Sequence, residues 1–187
     1  MFLSREEILK MGFKSVGENV LISDKTSIYG TKNIEIGSNV RIDDFCVLSA
    51  GENGIEIGNN VHIAVFCSLI GQEKITMKDF SGLSSRVSIY SSTDDYSGEF
   101  LTNPTVKSEF TNVINGKVTI GRHVIVGSGT IILPNVNISD YSAVAALSLV
   151  SKNVEEFKIV GGIPSRVIKE RKNNLIDLEC EYLKNSK

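Results

Sequence analysis

The sequence predicts an all-β solenoid, a parallel β-helix with three-sided rungs, and the first observation behind this prediction is a six-residue period. In residues 118–150 a branched aliphatic residue returns at every sixth position, as Ile120, Val126, Ile132, Ile138, Val144 and Val150. A second, mostly smaller set lies two positions earlier, as Val124, Thr130, Val136, Ser142 and Ser148. An α-helix repeats after about 3.6 residues and a half-buried strand at every second residue, so neither produces this spacing. A fixed short period indicates rungs that each bury their face against the next rung.

The second observation is that the same period recurs along most of the chain. It begins loosely at Ile22 and Ile28, tightens from Ile36, and resumes after the turn-rich residues 50–54. Three hexads make one three-sided rung, so equivalent positions should stack along three edges. The expected stacks are Ile57, Met77, Ile120 and Ile138 on the first edge, Ile63, Leu83, Val126 and Val144 on the second, and Leu69, Ile89, Ile132 and Val150 on the third.

We expect residues 1–187 to form a single domain in which helical segments cover the ends of the solenoid. The expected parts are an N-terminal helical cap over residues 1–19, the β-helix over residues 20–163 and a C-terminal helical tail over residues 164–187. Ser4 followed by Glu7 is a capping-box pattern, which predicts a short helix at the N-terminus. Gly161, Gly162 and Pro164 interrupt the period before the charged, partly apolar tail.

One long interruption of the period, residues 91–117, is predicted to be an inserted loop. It contains no hexad aliphatic residues, and the polar cluster Asp94, Asp95 and Tyr96 lies near its start. A long excursion from a regular scaffold is more often functional than accidental. The alternative is a solvated surface loop with no function. The loop is therefore a first candidate for a functional site.

Composition and charge exclude several classes of protein. A net charge of −2 over 187 residues argues against nucleic-acid binding, which needs a basic face. The three cysteines form neither a disulfide framework nor a zinc motif, and Cys46 and Cys67 fall on small inward positions. No apolar run is long enough for a signal peptide or a membrane span, so we expect no membrane insertion and a cytoplasmic location.

Two motifs in the second half of the chain resemble a known family. They are residues 120–153, IGRHVIVGSGTIILPNVNISDYSAVAALSLVSKN, and residues 161–170, GGIPSRVIKE. Both are similar to the C-terminal half of the hexapeptide-repeat acyltransferases, above all the galactoside and maltose acetyltransferases and the sugar acetyltransferases of surface-polysaccharide pathways. The resemblance covers residues 34–169. It implies a left-handed β-helix, a homotrimer, and acetyl-CoA bound in clefts between subunits.

The activity that this resemblance implies is acetyl transfer from acetyl-CoA to a sugar or a nucleotide-linked sugar, amino sugars included, in surface-polysaccharide or lipopolysaccharide biosynthesis. Ser128 and Ala146 match the positions that hold the pantetheine arm in the family. Lys152, Arg166 and Lys169 match the cations that meet the coenzyme phosphates. No metal is expected.

The general base is less evident. A hydroxyl acceptor needs a base within hydrogen-bond reach, and the chain has two histidines. Strand alternation directs both outward; His62 is the proposed base, and His123 is expected to be an exposed rung residue. Galactoside-type enzymes place their catalytic histidine at the start of the long loop, where this chain has Asp94. Either His62 is the base while Asp94 or Asp95 orients it or the acceptor, or the two carboxylates hold the ammonium of an amino sugar before it loses its proton.

Several alternatives stay open beside this reading. Asp95, Tyr96, Asn60 and Arg86 are the residues expected to bind the acceptor. A galactoside-type O-acetyltransferase with a different base is one alternative, and a non-catalytic scaffold, which would need no long polar loop, is another. A zinc hydratase of the same fold needs three imidazoles around one ion. His62 and His123 fall on different edges of the solenoid, which argues against that third class.

Overall fold

Short strands alternate with tight corners along almost the whole chain. The computed structural model describes residues 1–185. Two α-helices, α1 Arg5–Lys10 and α2 Leu175–Asn185, flank the strands. In chain order the strands are β1 Ser15–Val16, β2 Leu21–Ile22, β3 Ser27–Tyr29, β4 Ile34–Ile36, β5 Arg41–Ile42, β6 Val47–Ala50, β7 Ile55–Ile57, β8 His62–Ile63, β9 Ser68–Gly71, β10 Ile75–Met77, β11 Gly82–Leu83, β12 Ser88–Tyr90, β13 Ser92–Thr93, β14 Ile114–Asn115, β15 Val118–Ile120, β16 Ile125–Val126, β17 Ile131–Ile132, β18 Asn137–Ile138, β19 Ala143–Val144, β20 Leu149–Val150, β21 Lys158–Gly161 and β22 Arg166–Glu170.

Three sheets form the sides of the solenoid. Sheet 1 has the order β1-β4-β7-β10-β15-β18, sheet 2 the order β2-β5-β8-β11-β16-β19-β21-β22, and sheet 3 the order β3-β6-β9-β12-β17-β20. Successive rungs pair in parallel, and the register confirms the predicted stacks. Met77 pairs with Ile57 and Ile120, Leu83 with Ile63 and Val126, and Ile89 with Leu69 and Ile132.

The inward side chains of the three sheets make one continuous apolar core. The hexad aliphatics are buried apart from Ile28, which is partly buried, and so are the two cysteines that the period places on small inward positions. The Cys46 thiol lies 3.1 Å from the Ala64 carbonyl oxygen, and the Cys67 thiol 3.1 Å from that of Ser84. The neighbouring Cys46 and burial together raise the pKa of Cys67, so it remains a thiol.

The corner between sheets 1 and 2 is held by side-chain oxygens that accept backbone N–H groups from the preceding rung. Asn59 Oδ1 accepts from the Ser38 N–H at 2.8 Å, and Asp79 Oδ1 from the Asn59 N–H at 2.7 Å. Asp140 Oδ1 accepts from the Arg122 N–H at 2.9 Å. These bonds satisfy donors that a tight corner removes from the sheet ladder.

Beside this corner, the rings of Phe80, His123, Tyr141 and Phe157 stack in a column with centroid separations of 4.9, 5.6 and 5.0 Å. Helix α2 packs against the Phe80 and His123 end of this column, with the ring of Tyr182 centred 5.8 Å from that of Phe80. Glu179 of α2 forms an ion pair with Arg122, and its Oε2 lies 2.8 Å from Nε2 of His123. The side chain of His123 is therefore only 11% exposed, and the prediction of an exposed rung histidine is wrong, because α2 folds back over it.

The ends of the solenoid differ from the predicted boundaries. Helix α1 begins with the predicted capping box between Ser4 and Glu7, but β1 already joins sheet 1, so the β-helix starts at Ser15 and not at residue 20. The predicted helical tail begins as a strand: β22 turns back antiparallel on β21, and only α2 is helical. In this hairpin β22 pairs with β21, the last parallel strand of sheet 2, whose outer backbone groups would otherwise lack partners. The final two residues of the predicted tail lie outside the described residues.

Residue Arg171 fastens the segment between β22 and α2 to the solenoid. Its Nη1 donates to the carbonyls of His123, Tyr141 and Ser142, at 2.8, 3.2 and 2.6 Å. A guanidinium that bonds several corner carbonyls fixes both the hairpin and the start of α2. Within residues 1–185, no helix is long and apolar enough to cross a membrane.

Candidate active site

The outer face of sheet 2 carries a groove of about 570 Å³. At the corner between sheets 1 and 2 it is lined by Phe80 and Arg171, and at the corner between sheets 2 and 3 by Ser84 and Ser128. Gly82 of β11 lies at its centre and His62 of β8 at its side. One of the predicted catalytic residues therefore borders a groove with polar groups at both ends.

His62 belongs to a cluster of three charged or titratable groups. Its Nε2 lies 2.8 Å from Asp43 Oδ2, and Arg41 Nε donates to Asp43 Oδ1 at 2.7 Å. Burial disfavours the charged form of Asp43, but the hydrogen bonds from Arg41 and His62 outweigh it and hold the pKa of this carboxyl below its ordinary value. A carboxylate only accepts hydrogen bonds, so Nε2 of His62 donates in this contact.

Sequence reasoning missed Asp43, which is the group that orients His62. Arg41 and His62 are register partners in β5 and β8. Asp43 follows Arg41 by two positions and so comes within reach of the histidine one rung later. Counting hexads would have placed Asp43 next to His62 on the neighbouring rung. The two residues are far apart in the chain, however, so a local search for motifs does not pair them.

The second predicted catalytic residue, Asp94, lies in a different place. Strands β13 and β14 pair antiparallel and form the base of the inserted loop. Next to this base, on the outer face of sheet 3, Asp94 lines a cleft of about 660 Å³ whose other walls include Tyr90, Ile131 and Leu149. The loop thus holds a carboxylate at the end of a largely apolar cleft.

Two further predicted acceptor-binding residues sit beside Asp94 in the loop. The carboxylate of Asp95 accepts from the Ser97 hydroxyl at 2.6 Å and from the Ser97 N–H at 2.9 Å, and these bonds lower the pKa of Asp95. Asp95 is thus engaged in a local turn. Tyr96 lines the cleft of Asp94, and the residue is 90% exposed.

The remaining two predicted acceptor-binding residues lie at opposite corners of sheet 2. Asn60 lines the groove that contains His62. Arg86 lies at the corner between sheets 2 and 3, and its guanidinium carbon is 4.8 Å from the ring centroid of Phe66. Phe66 in turn stacks on Phe45 at 5.1 Å. Arg86 therefore forms part of a stacked, partly exposed ridge.

Within one chain, the structure does not bring His62 and Asp94 together. His62 lies on sheet 2, whereas Asp94 follows β13, four residues after Tyr90, which ends the sheet 3 strand of its rung. Each candidate has its own recess, and the corner that carries Ser84 and Ser128 separates them.

The predicted coenzyme residues lie in three places: Ser128 and Ala146 at that corner, Arg166 and Lys169 on the C-terminal hairpin, and Lys152 after β20 at the corner between sheets 3 and 1. The backbone of Ser128 accepts from Leu147 N–H at 2.8 Å, so Ser128 and Ala146 occupy the same corner on successive rungs. Both are exposed, and so is Lys152. A Cβ on Gly127 would lie 2.4 Å from the Ala146 backbone nitrogen, so the corner stays flat. Arg166 and Lys169 project from the exposed strand β22 beyond it.

The arrangement therefore combines three features. Small exposed residues lie at the corner between sheets 2 and 3, with cations on the C-terminal hairpin. The cleft on sheet 3 holds the Asp94 carboxylate, and the groove on sheet 2 holds the imidazole of His62, which Asp43 orients. Within residues 1–185 there is no group of three His, Cys, Asp or Glu residues that could hold a metal ion. Such an arrangement suits acyl transfer from an extended donor to a nucleophile that must lose a proton. Fold and site together define a solenoid-type transferase.

Comparison with known proteins agrees with this class. No protein-family model matches the chain. A dTDP-4-amino-4,6-dideoxy-D-glucose acyltransferase of Escherichia coli is 54% identical over 181 residues, which are 97% of this chain and 94% of the relative. AntD, an N-acyltransferase from Bacillus cereus solved with dTDP-4-amino-4,6-dideoxyglucose and coenzyme A, is 47% identical with a TM-score of 0.95 over 98% of both chains. A maltose O-acetyltransferase from Clostridium difficile 630 is 25% identical with a TM-score of 0.58, over 90% of this chain and 75% of that one.

The chain belongs to the hexapeptide-repeat acyltransferases, and its fold is the left-handed parallel β-helix that the resemblance implied. It is an acyltransferase rather than a scaffold protein. The AntD structures include the variants D94A, D94N and S84A, and this chain has Asp94 and Ser84 at those numbers. Sequence reasoning did not single out Ser84, which lines the groove on sheet 2.

Proposed function

We propose that this protein transfers the acetyl group of acetyl-CoA to the amine of a dTDP-linked 4-amino-4,6-dideoxyhexose. The observation that carries the proposal is the 54% identity, over 97% of the chain, to an acyltransferase named for that substrate. The loop chemistry is consistent with it. An amine is a strong nucleophile once it is neutral, so the Asp94 carboxylate of the loop is a sufficient base for it. A hydroxyl acceptor would require an imidazole base.

In this proposal Asp94 receives the proton of the attacking amine. The nitrogen forms a bond to the thioester carbon, the carbon–sulfur bond breaks, and the coenzyme leaves as a thiolate that is reprotonated from the acid so formed. The alternative, His62 as the base, stays a prediction. It is supported by Asp43, which would stabilise an imidazolium.

The coenzyme is proposed to lie along the corner between sheets 2 and 3. Small residues at Ser128 and Ala146 would let the pantetheine arm approach the backbone, and Lys152, Arg166 and Lys169 would meet the phosphates as charge-assisted donors. This corner also carries Ser84 beside the groove, which would bring the thioester near both recesses.

The active molecule is proposed to be a homotrimer. His62 and Asp94 lie on different sheets of one chain, so contact between a corner of one subunit and the loop of the next would complete the site. Phe66 and Ile125 are large outward residues, 46% and 43% exposed, beside Val65 and Tyr90. A single heterologous contact closes into a ring under cyclic symmetry. We further propose that the enzyme works in the cytoplasm, on nucleotide sugars used for surface-polysaccharide or lipopolysaccharide synthesis.

The test is release of free coenzyme A thiol from acetyl-CoA in the presence of different acceptors. dTDP-4-amino-4,6-dideoxyglucose is expected to support turnover. dTDP-glucose, the matched hydroxyl compound, and a simple galactoside are expected to support little. Turnover of the galactoside with none of the amino sugar would contradict the proposal and favour O-acetylation.

A further inference from the structure

Arg41, on the outer face of β5, makes contacts that link three segments of the chain. Its Nε donates to Oδ1 of Asp43 at 2.7 Å, and its guanidinium carbon lies 5.2 Å from the ring centroid of Phe2. Its register partners in sheet 2 are Leu21 on one side and His62 on the other. The guanidinium is therefore held between a carboxylate and an aromatic ring, on the face of the sheet that carries His62.

The carboxylate of Asp43 has a different partner for each of its oxygens. Oδ1 accepts from Arg41, and Oδ2 lies 2.8 Å from Nε2 of His62. The carboxylate plane turns easily, because this terminal torsion has broad minima, so a bond that fixes Oδ1 also fixes the direction of Oδ2. The side chain of His62 is 53% exposed and that of Asp43 is 14% exposed, so packing fixes Asp43 more firmly than the imidazole. The orientation of the imidazole therefore depends on Asp43 and, through it, on Arg41.

Phe2 belongs to a segment that extends the edge of sheet 2. The Leu3 N–H donates to the Ile22 carbonyl at 2.8 Å, and Phe2 forms an antiparallel bridge with Ser23. This pairing places the Phe2 ring against Arg41 of the next rung. The Arg41 side chain is 55% exposed, and an exposed arginine has many rotamers open to it. The ring narrows that freedom, because an aromatic face attracts a guanidinium.

From these contacts we propose that Arg41 is a positioning residue for His62, that it acts through Asp43, and that Phe2 holds Arg41 in the conformation that this task requires. The inference rests on the proposed function, because His62 borders the groove on sheet 2 and is the alternative base for the acyl transfer. An imidazole that takes a proton must be held close to its productive orientation. The segment ahead of α1 then supports the site as well as the end of the solenoid.

The first test is a double-mutant cycle on kcat with dTDP-4-amino-4,6-dideoxyglucose as the acceptor. Arg41→Met is expected to fold and to lower kcat about three- to tenfold, with the Kd for acetyl-CoA unchanged. In the His62→Asn background the same substitution should change kcat by less than about twofold, because the residue that Arg41 positions is gone. Arg41→Lys should lie between Arg41→Met and the wild type, since an ammonium keeps the charge but not the planar donor.

Lys14→Met is the matched control for this cycle. Lys14 is an exposed cation that donates to Glu35 at 2.7 Å beside sheet 1, away from the groove. Its loss removes a cation and a carboxylate contact of the same kind without touching Asp43. The kcat of Lys14→Met should therefore equal that of the wild type.

The second test concerns the aromatic ring. Phe2→Leu keeps an apolar side chain but removes the ring face, so it should lower kcat in the same direction as Arg41→Met and by less. Phe2→Tyr keeps the ring and should lie closer to the wild type. In the Arg41→Met background Phe2→Leu should have no further effect on kcat.

A third measurement needs no turnover. The chain has two histidines, so selective ¹³Cε1 labelling of histidine gives two ring signals, and relaxation of each signal reports how rigidly its ring is held. The order of the His62 ring should fall in Arg41→Met and stay unchanged in Lys14→Met. The His123 ring, which Glu179 holds, should keep its order in both variants.

An unchanged order of the His62 ring in Arg41→Met overturns the inference. So does a wild-type kcat in that variant, or a loss of kcat that is equally large with and without His62. Absence of turnover by the wild type with any amino-sugar nucleotide is a different result. It contradicts the proposed function, while the order of the ring still decides whether Arg41 positions His62.

Discussion

Nε2 of His62 lies 2.8 Å from Oδ2 of Asp43, a residue of the preceding rung. Asp43 is also held by Arg41, and its side chain is 14% exposed while that of His62 is 53% exposed. The histidine is thus anchored from beneath by a carboxylate of its own chain. Asp94 does not take part in this contact with His62. The two candidate bases, His62 and Asp94, can therefore be distinguished by experiment.

The first prediction concerns the base. If Asp94 takes the proton of the amine, Asp94→Asn should lower kcat by about 10²–10⁴-fold and leave the Kd for acetyl-CoA unchanged, while His62→Asn lowers kcat much less. Steady-state kinetics with dTDP-4-amino-4,6-dideoxyglucose provides the measurement. The reverse order of severity would identify His62 as the base.

The second prediction concerns acid stability. The folded-state pKa of Asp43 lies below its ordinary value, so its ion pairs stabilise the fold above that value, about pH 4, and this contribution is lost as the pH falls below it. Asp43→Asn should therefore have a lower Tm than the wild type at pH 7, and the difference should shrink below about pH 4. Glu52→Gln, on an exposed turn, is the control. A Tm difference that stays constant from pH 7 to pH 3 would show that the charge of Asp43 is not responsible.

The third prediction concerns the coenzyme. If Arg166 and Lys169 meet its phosphates, replacing both with Ala should weaken acetyl-CoA binding by about tenfold or more for each lost contact. The remaining affinity should also depend less on salt. Calorimetric titration at two ionic strengths measures both effects. Lys32→Ala, near the other end of the solenoid, should bind normally, and an unchanged titration of the double variant would remove these residues from the site.

The fourth prediction concerns helix α2. Glu179 is 10% exposed and pairs with both Arg122 and His123, so Glu179→Ala removes one of the two carboxylates that hold the Arg122 guanidinium, the other being Asp79, and the only carboxylate bonded to His123 within residues 1–185. The free energy of unfolding should fall by about 1.5–3 kcal/mol. Glu181→Ala, on the exposed part of the same helix, should change it little. Equal effects of the two variants would mean that α2 does not depend on this contact.

The fifth prediction concerns assembly. Light scattering of the active protein should give about three times the chain mass of 20.4 kDa. The corner of one subunit would then face the loop of the next. A monodisperse monomer that retains full activity would contradict both the trimer and the shared site.

The sequence alone determined the β-helix and the identity of its core. A six-residue period decides which side chains point inward, and the inward residues stack wherever rungs are in register. The observed pairs of Met77 with Ile57 and Ile120 are those that the period predicts. The inserted loop, its carboxylates and the tail motif of residues 161–170 were likewise visible in the sequence, because the loop interrupts the period and the tail motif follows its end.

The tertiary structure alone decided which outward side chains meet. The position of a residue in the hexad specifies whether its side chain points away from the core. The partner of an outward side chain depends on the neighbouring rung and on the segment that folds back over that side chain. For this reason Asp43 reaches His62, and Glu179 of α2 covers His123. The period carries information about burial, which is local and repeated. Contacts between outward residues depend on the lengths of the intervening corners and on the ends of the chain, which do not repeat.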